Sequence, residues 1–478
     1  MPDKPHIYLL DPQKYSPETI AVAFAKTSRS PESFAVIADE LNAEKSAEFN
    51  EKWVVGYGHS SVAEHAVLHI AVENISRLAC ECLESNRLAS YTEKSTRYQT
   101  WKDDAFFVPP ELTGGSPLQA KYIKTCQMLL QTYLDCIEQV TRYLSQTSPQ
   151  LPEETASQWQ RRIRSATIDS CRYLLPAGVL ANVGMTINAR ALEHALVKML
   201  SHPLQEVRAI GAEIKTAAVA AIPTLLKYAN PDPILQQIQT STVHIPSARP
   251  PQSWCQLISI DPDAENRLLA AYYYRTHDIA YAQCLETVAA WSVTERQRVA
   301  REMVCFENCH ESPLRELEYA VLTFDITLDQ GAYYEVKRHR MLTLTPQPLT
   351  ANLGYALPSL IRQAGCEAQF HQAMHESQQF FTELSDAFPA LGGYVVPNAA
   401  LRRFLLSSNL RSLWHFIQLR SAPNAHFAVR RLAQQLYTEV LEHFPAFAPV
   451  FQLHFSESVA SLERDYFADI IMRNDHDQ

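Results

Sequence analysis

The most constraining feature of this 478-residue chain is that its landmarks occur twice, in the same order. Gly58-His-Ser-Ser-Val62 is answered by Cys309-His-Glu-Ser-Pro313, and the alternating run Val67–Val72 by Tyr319–Ile326. Ser85-Asn-Arg87 is answered by Arg338-His-Arg340, and Leu174-Leu-Pro176 by Val395-Val-Pro397. Asn188-Ala-Arg-Ala-Leu-Glu-His194 is answered by Asn409-Leu-Arg-Ser-Leu-Trp-His415. Chance similarity does not keep such marks in order, so the chain reads as a tandem duplication, a two-subunit unit carried on one polypeptide. Residues 230–254, with five prolines and little periodicity, read as a linker between a first copy, 1–229, and a second, 255–478.

Local patterns fill in each copy. Ser30 as a cap and Pro31 at the first helical position predict a helix up to Phe49. Ser60-Ser-Val-Ala-Glu64 reads as another capped helix start, Val67–Val72 as a half-buried strand, and Arg77–Leu83 as a short helix. Amphipathic helices are expected over Leu118–Leu144, over Glu153–Leu174, and as a pair on either side of Ser201-His-Pro203 ending near Tyr228. The expected class is α/β (α+β): each copy sets a small, mainly antiparallel sheet beside a helical layer, and the copies pack as a pseudo-dimer.

Composition excludes several functions. A formal charge of −10 argues against a general nucleic-acid binder. No apolar run reaches the roughly 18 residues of a spanning helix, and the first residues lack signal-peptide character, so no membrane and a cytoplasmic location are expected. The ten cysteines are scattered and read as thiols in a reducing compartment. Cys305-x-x-x-Cys309-His310 has no second ligand pair at finger spacing, so no metal is expected.

One stretch carries chemistry. Asn86-Arg-Leu-Ala-Ser-Tyr-Thr-Glu-Lys-Ser-Thr-Arg-Tyr98 packs Arg87, Arg97, Glu93 and several hydroxyls together without aliphatic periodicity, and reads as a nucleotide loop. Arginine is a planar donor fork suited to phosphate, while hydroxyl and carboxylate groups meet a sugar or a base edge. The pattern Arg-x-x-Ser-x-x-Glu-x-Ser-x-Arg-Tyr, preceded by Gly58-His-Ser-Ser-Val-Ala-Glu-His65, resembles the signature of the flavin-dependent thymidylate synthases. That signature begins Arg-His-Arg, where this copy has Ser85-Asn86-Arg87.

The two copies have lost complementary parts of this signature. The first keeps Glu93, Ser95, Arg97 and Arg172; the second has Pro346, Pro348, Thr350 and Gly393 there. The second keeps Arg338, His339, Arg340 and Arg420; the first has Ser85 and Asn86 for the first pair and Met199 opposite Arg420. In the family, as the resemblance implies, one subunit offers the first set to the uridylate. Its partner offers Arg-His-Arg to the flavin and the later arginine to the uracil ring. One composite site is therefore expected between the copies, with a dead mirror image. A hydrogen bond to a charged group is worth roughly 1.5–3 kcal/mol, so losing three or four removes on the order of 5–10 kcal/mol. Micromolar binding amounts to only about 8 kcal/mol.

The resemblance also implies flavin contacts from His59, Ser61 and Glu64, from His310 and Glu318, and from Asn409, Arg411 and His415. Asn188, Arg190 and His194 match the last segment equally well. Glu335 stands where the family usually has a uridylate-contacting glutamine; an acid there accepts from a ribose hydroxyl or a base N–H. The implied activity is reductive methylation of dUMP to dTMP with FAD as cofactor and NADPH and methylenetetrahydrofolate as co-substrates. Arg420 is the catalytic candidate, and Glu93, Ser95, Arg97, Arg172, Glu335 and Arg420 are the dUMP set. A homodimer of the tandem chain, equivalent to the family's tetramer, is the implied assembly. Two rivals stand beside this: action on another pyrimidine nucleotide, favoured by Glu335, and a non-catalytic nucleotide- or flavin-binding paralogue.

Overall fold

The computed structural model describes residues 6–56, 60–112, 114–240, 253–304 and 312–472. In the first copy β1 (Val67–Ser76), β2 (Ala89–Glu93) and β3 (Leu180–Asn188) form an antiparallel sheet in the order β1–β3–β2. The second copy carries β4 (Cys255–Ile260), β5 (Val321–Asp329), β6 (Thr343–Pro346), β7 (Gly354–Pro358), β8 (Leu401–Asn409) and β9 (Phe467–Met472). Its main sheet runs β4–β5–β8–β6, and β7 pairs with β9. The chain is thus two α+β copies, each with an antiparallel sheet and helices beside it.

Registers make the repeat quantitative. Val67 lies opposite Asn188 and Val321 opposite Asn409. Glu93 lies opposite Val183 and Pro346 opposite Phe404, so Pro346 occupies the sheet position of Glu93. A bulge between Val72 and Ile75, with Asn74 at φ 57°, gives β1 one residue more than β5.

The copies meet about a pseudo-two-fold axis. Pro176 and Pro397, which are repeat equivalents, face each other in an antiparallel bridge. Ala177 N donates to Val396 O at 2.9 Å, and its counterpart Asn398 N donates to Leu175 O at 3.0 Å. Gly178 N donates to Tyr394 O and Ala399 N to Tyr173 O, both at 2.8 Å. Such reciprocal pairing is the isologous contact of a two-fold dimer. One apolar core runs through the junction, with Leu129, Cys136 and Tyr173 of the first copy packed in the same cluster as Phe324, Phe370 and Phe427 of the second. Each large apolar side chain removed from water there contributes roughly 1.5–3 kcal/mol, so the copies form one body.

Several sequence expectations are corrected. The helix expected over 30–49 is two, Phe34–Asp39 and Ala43–Phe49, because Ser33 and Asn42 each cap a new start. Ser30 Oγ instead accepts from Glu32 N in the turn before them. Ser60–His65 is a short 3-10 helix. The stretch read as a nucleotide loop contains β2, whose Ser90 and Thr92 face solvent while Ala89 is buried, an alternation of period two. Within 230–254 lies a helix, Pro233–Thr240. The helix after Pro203 ends at Val219, and turns carry the chain on to Tyr228. Among the described residues no helix is long and apolar enough to cross a membrane.

Candidate active site between the two copies

The site is organised by the Gln330–Lys337 helix of the second copy. Asp329 caps it, its Oδ1 accepting from Ala332 N at 2.8 Å, and the helix is buried along most of its length. Glu335 is only 6% exposed. A carboxylate at that depth needs partners, and both copies supply one. Arg172, in the 3-10 turn after the Ala156–Cys171 helix of the first copy, donates from Nη2 to Glu335 Oε1 at 2.9 Å. Arg420, the last residue of the Leu410–Arg420 helix, donates from Nη1 to Oε2 at 3.3 Å. Burial works to raise the Glu335 carboxyl, yet the Arg172, Arg97 and Arg420 guanidiniums hold it below the ordinary value.

Arg420 also fixes a histidine. Its Nε donates to His339 Nε2 at 2.8 Å, so that ring nitrogen is an acceptor and the ring is neutral. Burial, with Arg420 and His415 adding to it, pushes His339 down to about 3. The His415 ring lies 5.9 Å from the His339 ring.

Arg97 sits in the turn after β2 and grips Asp169 with two hydrogen bonds, Nε to Oδ1 at 2.8 Å and Nη2 to Oδ2 at 2.7 Å. Its Nη1 crosses to the second copy, donating to Asn424 O at 3.0 Å. Ser95 Oγ accepts from Arg97 N at 3.2 Å and shapes that turn. Glu93 ends β2 between two guanidiniums, Arg77 Nε at 3.3 Å and Arg338 Nη2 of the second copy at 3.4 Å. Arg77 is buried, lies 4.1 Å over the Tyr334 ring, and among the described residues leaves Nη1 without a partner. Glu84, half-buried beside Glu93, is pushed up to about 7 by burial and by that neighbouring carboxylate. Arg340 Nη1 donates to Arg87 O at 3.1 Å and its guanidinium lies 5.8 Å from the Tyr91 ring.

The structure thus brings Glu93, Ser95, Arg97 and Arg172 of one copy against Glu335, Arg338, His339, Arg340, His415 and Arg420 of the other. With His339 neutral, five guanidiniums (Arg77, Arg97, Arg172, Arg338, Arg420) face three paired carboxylates (Glu93, Asp169, Glu335), a positive excess that Asp329, near 6, and Glu84, near 7, reduce without cancelling. That excess suits a phosphate dianion. The remaining candidates have other partners. Asn409 Oδ1 accepts from Ser412 N and caps its helix, and Arg411 donates to Pro313 O at 2.9 Å and to Glu318 at 3.0 Å. In the first copy Asn188 caps the Ala189–Leu200 helix and Arg190 pairs with Glu64 in the same way. Ser61 is exposed on the Ser60–His65 turn, which packs against that Ala189–Leu200 helix rather than the cluster. His59 and His310 lie outside the described residues. Sequence reasoning missed Asp169, Arg77, Glu84 and Asn424. Only Asp169 left a signal, standing one helical turn before Arg172.

A repeated α+β domain whose copies close over an arginine–carboxylate cluster defines a class, and sequence comparison gives it a family. The thymidylate synthase complementing protein family matches residues 9–224 and again 256–446, and the chain belongs to it. A UPF0159 protein of Chlamydia muridarum is 31% identical over 433 residues, covering 85% of this chain and 81% of that protein. A UPF0159 protein of Thermoplasma acidophilum is 24% identical over 461 residues, 86% and 89% of the two chains. A flavin-dependent thymidylate synthase of Clostridium tetani is 26% identical over 220 residues, 45% of this chain but 83% of that one.

Proposed function

We propose that this chain is an FAD-dependent thymidylate synthase-type methyltransferase that converts dUMP to dTMP at one composite site, with NADPH and methylenetetrahydrofolate as co-substrates. The observation that carries the reading is the meeting of Arg172 of one copy and Arg420 of the other on the single carboxylate of Glu335. Arg97 and Arg172 hold the phosphate, with Ser95 completing the grip and Glu93 on the ribose side. Arg420 faces the uracil and stabilises negative charge as it develops there. His339, neutral and accepting from Arg420 Nε, fixes that guanidinium's orientation.

The residues present fit a flavin dinucleotide. The half-exposed Arg338 reaches Glu93 and the guanidinium of Arg340 lies by the Tyr91 ring, both on the inward side of β2, and two arginine forks side by side suit a pyrophosphate. Arg338, His339 and Arg340, with His59, Ser61, Asn409, Arg411 and His415, are the proposed FAD contacts. When bound, the flavin supplies the redox and one-carbon chemistry. The chain's own part is to hold the pyrimidine, neutralise its phosphate and exclude water around Glu335. A homodimer acting in the cytoplasm is the proposed setting.

A second reading rests on Glu335, an ionised acceptor where a glutamine is usual: the same scaffold acting on another pyrimidine nucleotide. Calorimetric titration with dUMP, dCMP and UMP separates the two, and dUMP binding no better than the others defeats the first. Purified protein is expected to show a visible flavin band that responds to dUMP. Absence of the band even after adding FAD favours a non-catalytic paralogue.

A further inference from the structure

A carboxylate among arginines repels the phosphate those arginines would take, so Glu335 needs its own account. Its two oxygens are divided between guanidiniums of different copies, at 2.9 and 3.3 Å, much as two oxygens of a bound phosphate or sulfate would be. The mirror positions hold Cys82 for Glu335, Gly393 for Arg172 and Met199 for Arg420, so carboxylate and arginines are present or absent together. Among the described residues Arg172 Nε is buried without a partner, which leaves this guanidinium incompletely satisfied by Glu335.

We infer that Glu335 is an internal anion that occupies Arg172 and Arg420 until a ligand anion displaces it, and that the displaced carboxyl takes up a proton from solvent. This deepens the reading in which Arg97 and Arg172 hold the phosphate of an anionic ligand and Arg420 faces its uracil, and rests on it. In the exchange one O–H bond forms on Glu335 as the bond holding that proton in hydronium or the buffer acid breaks, and the ligand keeps its charge. The physical reason is burial: a carboxylate 6% exposed stays ionised only while cations balance it.

The titratable and charged groups at or next to Glu335 and its arginines come from five elements. Arg172 comes from the turn after the Ala156–Cys171 helix, Arg97 from the turn after β2, and Arg420 from the end of its helix with His339 behind it. Asp329 at the cap of the same helix is pushed up to about 6 by burial, and His426, capping the Phe427–His443 helix, is held neutral by burial. Above pH 7 the arginines are charged and both histidines neutral, so the carboxylates are the groups that can take up a proton. Asp329, near 6, and Glu84, near 7 beside Glu93, are the others, and Glu335→Gln tells Glu335 from them.

The test uses inorganic sulfate, whose charge is constant over this range, titrated calorimetrically into the full chain in two buffers of different ionisation enthalpy. Uptake of about one proton per sulfate is expected, with affinity falling about tenfold per pH unit as pH rises. Glu335→Gln is expected to bind sulfate at least about tenfold more tightly at pH 8, without proton uptake. The wild-type buffer comparison still tests the inference if that variant does not fold. No proton uptake by the wild type, weaker sulfate binding by Glu335→Gln, or uptake that persists in Glu335→Gln overturns the inference. Failure of sulfate to bind at all also overturns it, while the flavin band remains a separate test of the proposed function.

Discussion

The composite cluster and its mirror image share a scaffold and differ in charge. Both copies cap the helix after β3 or β8 with asparagine, and both tie the next arginine to a glutamate, Arg190 to Glu64 and Arg411 to Glu318. Yet Arg97, Arg172, Arg338 and Arg420 are answered by Thr350, Gly393, Ser85 and Met199, and Glu93 and Glu335 by Pro346 and Cys82. Around two of the lost positions hydrocarbon fills the space: Met199 is 1% exposed, and a Cβ on Gly393 would meet Leu78 Cδ2 at 3.3 Å. Near Pro346 a different buried pair stands instead, Arg402 donating to Glu81 at 2.8 Å. Replacing buried ion pairs by packed apolar groups is often neutral or stabilising. The difference teaches that this particular set of charges is not what holds the fold, because the other half folds the same way with a different pair.

The comparison breaks most visibly at Arg172. Arg172→Ala leaves Glu335 buried without its nearer cation, and a loss of about 3–5 kcal/mol in urea unfolding is expected, together with loss of dUMP binding. Met199→Leu in the mirror is expected to change stability by less than about 1.5 kcal/mol and binding not at all. Equal effects from the two would mean the halves are not specialised.

Next in size, Arg97→Ala and Arg420→Ala are each expected to weaken dUMP by about 10- to 100-fold and to abolish dUMP-dependent turnover. Thr350→Ala, which removes only the acceptor for Asn352 N, should leave both intact. An Arg420→Ala protein with full turnover would rule out a shared site.

A smaller effect concerns protonation. With His339 near 3 in the folded chain and about 6.5 unfolded, the stability gained by keeping it neutral is complete above pH 6.5. It is lost as pH falls toward 3. Its ring signals by NMR are therefore expected not to titrate between pH 8 and 5, whereas an ordinary midpoint near 6.5 would show that Arg420 does not hold it. Smallest of all, Asn188→Ala and Asn409→Ala should each cost about 1 kcal/mol as lost caps. A loss of flavin absorbance from Asn409→Ala alone would give that residue a second role.

Much of the architecture was legible because the repeat preserves order and spacing. The register that sets Pro346 at the position of Glu93 is the one the motif alignment implies. Local reading failed where a second signal lay inside the first: Asn42 restarts a helix that periodicity runs through, and β2 hides among hydroxyls because its inward residues are Ala89, Tyr91 and Glu93. Asp169 stands one turn before Arg172, but its grip on Arg97 could not be read, since the two stand 72 residues apart. Likewise, nothing in the sequence says that Arg411 spends its guanidinium on Glu318 and a backbone carbonyl.

The main-chain ladder at Pro176 and Pro397 has a consequence for heredity. In an assembly of identical subunits, any codon change reaches both sides of the axis, so an unused cleft cannot be discarded without losing the working one. Joining the partners end to end lifts that restriction, because Gly393 and Arg172 are now separately encoded. One gene can then let a redundant cleft lose its arginine set while its twin keeps it.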